Sequence, residues 1–217
     1  MAERQKKSLI RKFATAAAKT VAVAALAYGA WFGAFYAGRG ETLTKGETQA
    51  VEGIFGDQLD ASMIRKHFRN QSSVTHVMGN TRGMVMPPFS HIDFFGPDAQ
   101  SKDYSKEGIG KFGLFMHEVT HTWQGQNLKF STKAFRRYDY DYMLRPTSQF
   151  RDFGTEQQAE IVENYAERWI HRDGIIEPRT AKDTLVMNVV ERQFPRAKAT
   201  RDSVWRANAP KANTLKT

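Results

Sequence analysis

No cysteine occurs in the 217-residue sequence. Its absence excludes disulfides, thiol catalysis and cysteine-ligated zinc, so any metal must be held mainly by His, Asp or Glu. It neither supports nor opposes export, because exported proteins can do without disulfides. Internal repeats are also lacking, and the chain is too short for two full-sized domains, which leaves one packed domain with an appendage. Apolar residues at 41% and charged residues at 25% are ordinary proportions that exclude a globally disordered chain.

Acidic residues are in short supply, 23 against 32 Lys and Arg, for a net charge of +9. The imbalance lies at the ends. Residues 1–20 carry six basic side chains against Glu3, and residues 192–217 carry seven against Asp202, giving +5 and +6 and leaving −2 for the middle. Basic ends around a slightly acidic centre do not make a basic binding face, and no nucleic-acid partner is expected.

Charge is absent again from Thr20 to Gly38, after a flank holding Arg4, Lys6, Lys7, Arg11, Lys12 and Lys19. This is a targeting pattern, and the apolar stretch is near the minimum of about 20 residues that spans a bilayer. A cleaved signal peptide needs less, and Ala25-Leu26-Ala27 offers small residues for it. Trp31, Phe32, Phe35 and Tyr36 would suit the far interface of a spanning helix better than the start of a mature chain. Residues 1–40 are therefore read as an N-terminal apolar helix, a membrane anchor or a signal peptide, with an Ala-rich core helix as the plainer alternative. The basic flank places the remainder outside the cytoplasm, anchored to the inner membrane and facing the periplasm, or secreted or periplasmic if the segment is cleaved.

Thr44-Lys45-Gly46-Glu47 has capping-box spacing ahead of Val51, Ile54 and Phe55, so a helix opens the following domain. Between Val74 and Pro97, short runs such as Val74–Met78 and Met84-Val85-Met86 are broken by Gly, Asn and Pro, which predicts a small, partly antiparallel sheet. A polar loop from Gly96 to Gly110 leads into a helix over Lys111 to Trp123, with Gly125 as its expected terminator. A further helix is expected from Thr155, with Gln158 in the reciprocal capping position, and a last one over Ala181 to Phe194. The fold class is α+β, with a domain over 41–194 and a flexible basic tail over 195–217.

His117-Glu118-Val119-Thr120-His121 sets two imidazoles four residues apart, on one face of a helix, where both can reach one ion. Glu118 projects beside them, where a carboxylate can take a proton from an activated water. By chance such a string arises in about one chain in a hundred of this size. Catalytic zinc takes three protein ligands and an open position. Thr155-Glu156-Gln157-Gln158-Ala159-Glu160 supplies the third: Glu156 as ligand, with Glu160 one turn on as acceptor of a ligand imidazole's N–H, or the two exchanged. Without the upstream motif these glutamates would read as a solvated first turn favoured by the helix dipole.

These residues resemble the gluzincin group of zinc peptidases, which pair a His-Glu-x-x-His helix with a downstream Glu-x-x-x-Asp helix; here Glu160 stands where that group has Asp. A nearer resemblance is to small bacterial Vgr-related proteins that look like zinc metallopeptidases. It is carried by Leu43–Glu47, Phe55-Gly56-Asp57, His117–Gln124 and Glu156–Val162, and spans roughly residues 41 to 170. It implies a zincin-like fold, Zn2+ as cofactor and a protein or peptide substrate cleaved by metal-activated water. The alternative is a non-catalytic zinc-binding module serving a secretion or cell-envelope assembly, whose components would then be its partners.

Gly108-Ile109-Gly110-Lys111-Phe112-Gly113 matches a dinucleotide fingerprint literally, but no strand precedes it. His67, His76, His91 and His171 lack ligand spacing and read as surface or locally bonded histidines. Tyr138, Tyr140 and Tyr142 could offer a phenol to an oxyanion, although aromatic packing is the simpler expectation.

Overall fold

A computed structural model describes residues 40–70, 82–86, 90–127, 142–171 and 178–208, with Ala27, Gly29, Ala30 and Tyr36 ahead of them. The chain divides into two compact units, 1–40 and 41–217. The expected N-terminal anchor lies almost wholly outside the described residues, as do Val74–Met78, His76, Tyr138 and Tyr140. Among the described residues no helix is long and apolar enough to cross a membrane.

Helix α1, Lys45–Phe55, starts with the predicted box: Thr44 Oγ1 accepts from the Glu47 N–H at 3.2 Å, and the Glu47 carboxylate accepts from the Thr44 N–H at 2.7 Å. The same carboxylate is fully buried and receives Lys66 Nζ at 2.8 and 2.9 Å and the Tyr104 N–H at 2.8 Å. This pair fastens α1 to strand β1, Arg65–Arg69. The strand escaped the sequence reading because Arg-Lys-His-Phe-Arg has no apolar alternation; Lys66 is buried only because Glu47 meets it.

Strands β2, Gly83–Met86, and β3, His91–Phe95, complete a sheet of order β1-β3-β2. The pairing of β1 with β3 is parallel, with His67 opposite Asp93, and that of β2 with β3 antiparallel, with Gly83 opposite Phe94. The sheet is thus small and partly antiparallel, with β2 on an edge. Alternate β3 residues Ile92 and Phe94 are fully buried in the main core, as the two-residue period requires.

Helix α2, Ile109–Gln126, runs through the middle of the core and is buried from Phe112 to Gly125 apart from the half-buried His121. It passes Gly125 and ends at Asn127, whose N–H reaches the Trp123 carbonyl at 3.1 Å. Helix α3, Thr155–Tyr165, continues into a π turn, Ala166–Ile170. Its cap is one residue earlier than predicted, at Gly154, whose N–H is met by Gln157 Oε1 at 3.0 Å. That shift frees Gln158 for the interior.

Helix α4, Ala181–Gln193, matches the predicted segment. The expected flexible tail requires correction: Pro195–Asn208 forms helix α5, and the packed body extends past residue 194. Its apolar content is low, but Ala197 is fully buried, Thr200 Oγ1 donates to the Gly53 carbonyl at 2.8 Å, and Arg201 pairs with Glu191 at 2.6 Å. Small side chains let α5 lie close to α1, and the paired Lys198 and Arg201 supply part of its polarity. Residues 209–217 lie outside the described residues. At the base of α2, the rings of Phe55, Trp123, Phe150 and Phe194 meet with centroids 5.0 to 6.3 Å apart.

Candidate metal centre

Helices α2 and α3 bring the predicted ligands together. His117, His121 and Glu156 offer one ligand atom each, all within 4.8 Å of one another. Glu156 Oε2 lies 3.4 Å from Nε2 of His117 and 3.4 Å from Nε2 of His121. Donors about 2.0–2.1 Å from a tetrahedral zinc are separated by roughly 3.3–3.4 Å, so the spacing fits such an ion. Two imidazoles with one carboxylate also suit zinc by donor type, and leave a fourth position open.

Both rings are turned toward Glu156 by partners on their other nitrogens. His117 Nδ1 donates to Glu163 Oε2 at 2.8 Å, and His121 Nδ1 donates to Gln124 Oε1 at 2.9 Å. A donor at Nδ1 fixes the neutral tautomer whose Nε2 lone pair can bind a metal. Gln124 is fully buried and spends its NH2 on Gln158 Oε1 at 2.9 Å and on the Thr155 carbonyl at 3.0 Å. Gln158 in turn donates to the carbonyls of Phe150 and Phe153. One amide therefore orients His121 and sets the register of α3, and with it the place of Glu156.

Glu160 was expected to take an imidazole N–H; Glu163 does so instead, while Glu160 Oε1 accepts from Asn164 Nδ2 at 3.0 Å. Glu160 stays close enough to form a second donor group with His117 and Glu163. Glu163 and Gln124 were missed because the reading stopped at four-residue spacings. The usable signal was periodicity: Glu163 lies two turns after Glu156, and Gln124 nearly one turn after His121.

Burial alone would push the His117 pKa down, but hydrogen bonds to Glu156 and Glu163 and the charge of Glu118 outweigh it and raise it to about 10. Burial raises the Glu156 carboxyl, and its bonds to His117 and His121 reverse this and hold it well below the carboxylate range. Glu118 is 5% exposed, and Oε2 has no hydrogen-bond partner among the described residues; burial pushes its carboxyl up despite the two histidines. Further along α3, burial and the neighbouring Glu163 raise Glu160, and burial with Glu163 and Glu160 lifts Glu167 to about 7.

The remaining candidates lie elsewhere. His67 and His91 face each other across β1 and β3, Nε2 to Nδ1 at 2.8 Å, and burial with His91 and Arg69 lowers His67 to about 4 although Asp93 opposes the shift. His171 is buried, with Nε2 2.9 Å from the Glu107 carbonyl. Gly108 caps α2 after a 3-10 turn, Tyr104–Lys106, so no strand precedes the glycine run. Tyr142 packs on Phe153 and accepts from Asn164 Nδ2 at 3.3 Å; burial and Glu160 raise its phenol to about 12.

No protein-family profile matches the sequence. The effector domain of Pseudomonas aeruginosa VgrG2b, as a solved structure, aligns over 81% of this chain and 95% of its own length, with 26% identity and a TM-score of 0.48. Over 152 residues, covering 65% of this chain, the sequence is 34% identical to the type VI secretion system spike protein VgrG2b of Pseudomonas aeruginosa, of which the match spans 14%, so the chain is similar to one segment of a Vgr spike protein.

Proposed function

We propose that the chain is a zinc-dependent hydrolase of peptide bonds with a gluzincin-type site, acting as a module in a secretion context. The observation that carries this is the pairing of a donor set spaced for one zinc with the buried Glu118 carboxylate, whose Oε2 has no hydrogen-bond partner among the described residues. Similarity to a type VI spike protein supports the secretion context.

His117, His121 and Glu156 would hold the metal. Zinc, when bound, supplies a Lewis acid for a carbonyl oxygen and brings the pKa of a water to about 7. Glu118 Oε2, free of protein donors among the described residues, accepts the proton of the attacking water and delivers it to the leaving amine. Burial raises the proton affinity of Glu118 and so strengthens it as the base that takes this proton. Glu163 and Gln124 keep the two Nε2 atoms aimed at the ion.

A second reading, a zinc-holding scaffold without turnover, draws on the similarity to a structural spike protein. Zinc content and peptidase activity of the full chain and of Glu118→Gln separate the two. A catalyst keeps its zinc and loses nearly all turnover on that change; a parent that binds zinc, cleaves no peptide library and retains its secretion role after the change is the scaffold. A metal-replete parent without zinc overturns both.

A further inference from the structure

We propose that Gly83 is a positioning residue that fixes the Glu118 carboxylate by steric contact, an inference that rests on the hydrolase reading. Gly83 is buried on the edge strand β2. A Cβ built there would come 2.6 Å from Cδ and 2.7 Å from Cγ of Glu118 and would also overlap Oε1. The overlap reaches back along the side chain, and Glu118 is buried, so a small swing of an exposed tip cannot relieve it.

The backbone angle does not demand glycine here. Among the described glycines positive φ occurs at Gly40, Gly56 and Gly96, and not at Gly83. Gly83 opens β2, and a strand glycine that no positive φ requires often marks close approach of another group. That group is Glu118. With no hydrogen bond to Oε2 among the described residues, the orientation of the carboxylate is left to packing, and the bare backbone of β2 is the wall it rests against. Any larger residue at 83 moves the carboxylate or lifts the strand.

The test is a double-mutant cycle on the full chain: Gly83→Ala, Glu118→Ala and the pair, followed by chemical unfolding in the absence of metal. The expected result is a destabilising Gly83→Ala in the parent and a neutral or stabilising one beside Glu118→Ala, because alanine restricts the unfolded chain once space is available. If Gly83→Ala alone fails to fold, recovery of folding in the pair gives the same answer. Zinc affinity of Gly83→Ala should stay within about threefold of the parent, while kcat falls by about 10²-fold at unchanged KM, the usual effect of a misplaced catalytic group. Equal penalties in both backgrounds overturn the proposal. A coupled cycle in a zinc-bound parent that cleaves nothing upholds the contact and removes the hydrolase reading instead.

Discussion

Two clusters of buried charge in this protein are built in opposite ways. Glu47 and Lys66 are both fully buried, and their polar atoms find partners within the fold: the carboxylate takes the ammonium and the N–H groups of Thr44 and Tyr104, and the ammonium also reaches the Lys102 carbonyl. The second cluster, on α2, α3 and the π turn, gathers the buried His117 and Glu118 with the half-buried His121, Glu156, Glu160, Glu163 and Glu167, and combines an excess of carboxylates, upward shifts at Glu118, Glu160 and Glu167, and a Glu118 Oε2 without a hydrogen-bond partner among the described residues. A buried charge balanced by the fold is architecture, whereas an unbalanced set is retained for something the fold does not itself supply. On the proposed reading, a divalent cation would supply what the second cluster lacks.

The contrast can be broken from either side. The largest effect is expected from Glu118→Gln, which should lower kcat by about 10²–10⁴-fold, the range for loss of a general acid-base group, without loss of zinc by elemental analysis. On the architectural side, Lys66→Met leaves Glu47 buried and unpaired and should cost about 3–5 kcal/mol in denaturant unfolding, with zinc stoichiometry per folded molecule unchanged. Glu163→Ala and Gln124→Ala, which untie one imidazole each, should weaken zinc binding by about 10–100-fold in competition with a chelator.

The pH dependence sharpens the difference further. His117 is protonated below about pH 10 in the metal-free protein and must lose that proton to bind an ion, so zinc affinity should rise with pH between 6 and 9, by up to about tenfold per unit. Glu163→Gln weakens one cause of the raised pKa and should flatten that rise. The smallest effect concerns His67. Its folded pKa of about 4 lies below the unfolded value, so between roughly pH 4 and 6.5 the unfolded chain binds more protons, and stability should fall as pH falls, by at most about 1.4 kcal/mol per unit. His67→Gln should remove that slope in unfolding measured across this range.

Residue order alone placed five parts of the molecule, helix α3 from Thr155 among them. The Thr44 box, the β2 run, α2 and α4 are written in local spacing, and so are His117, Glu118, His121 and Glu156, because a helix fixes which residues share a face. Tertiary structure decided the rest. Strand β1 exists because Glu47 neutralises Lys66, α5 folds because Gly53 admits Thr200, and Glu163 rather than Glu160 meets His117 because Gln124 and Gln158 set how far α3 slides along α2. A sequence states the period of each helix, but the register between two helices is a property of the groups that meet, and at this site that register chose the imidazole's partner.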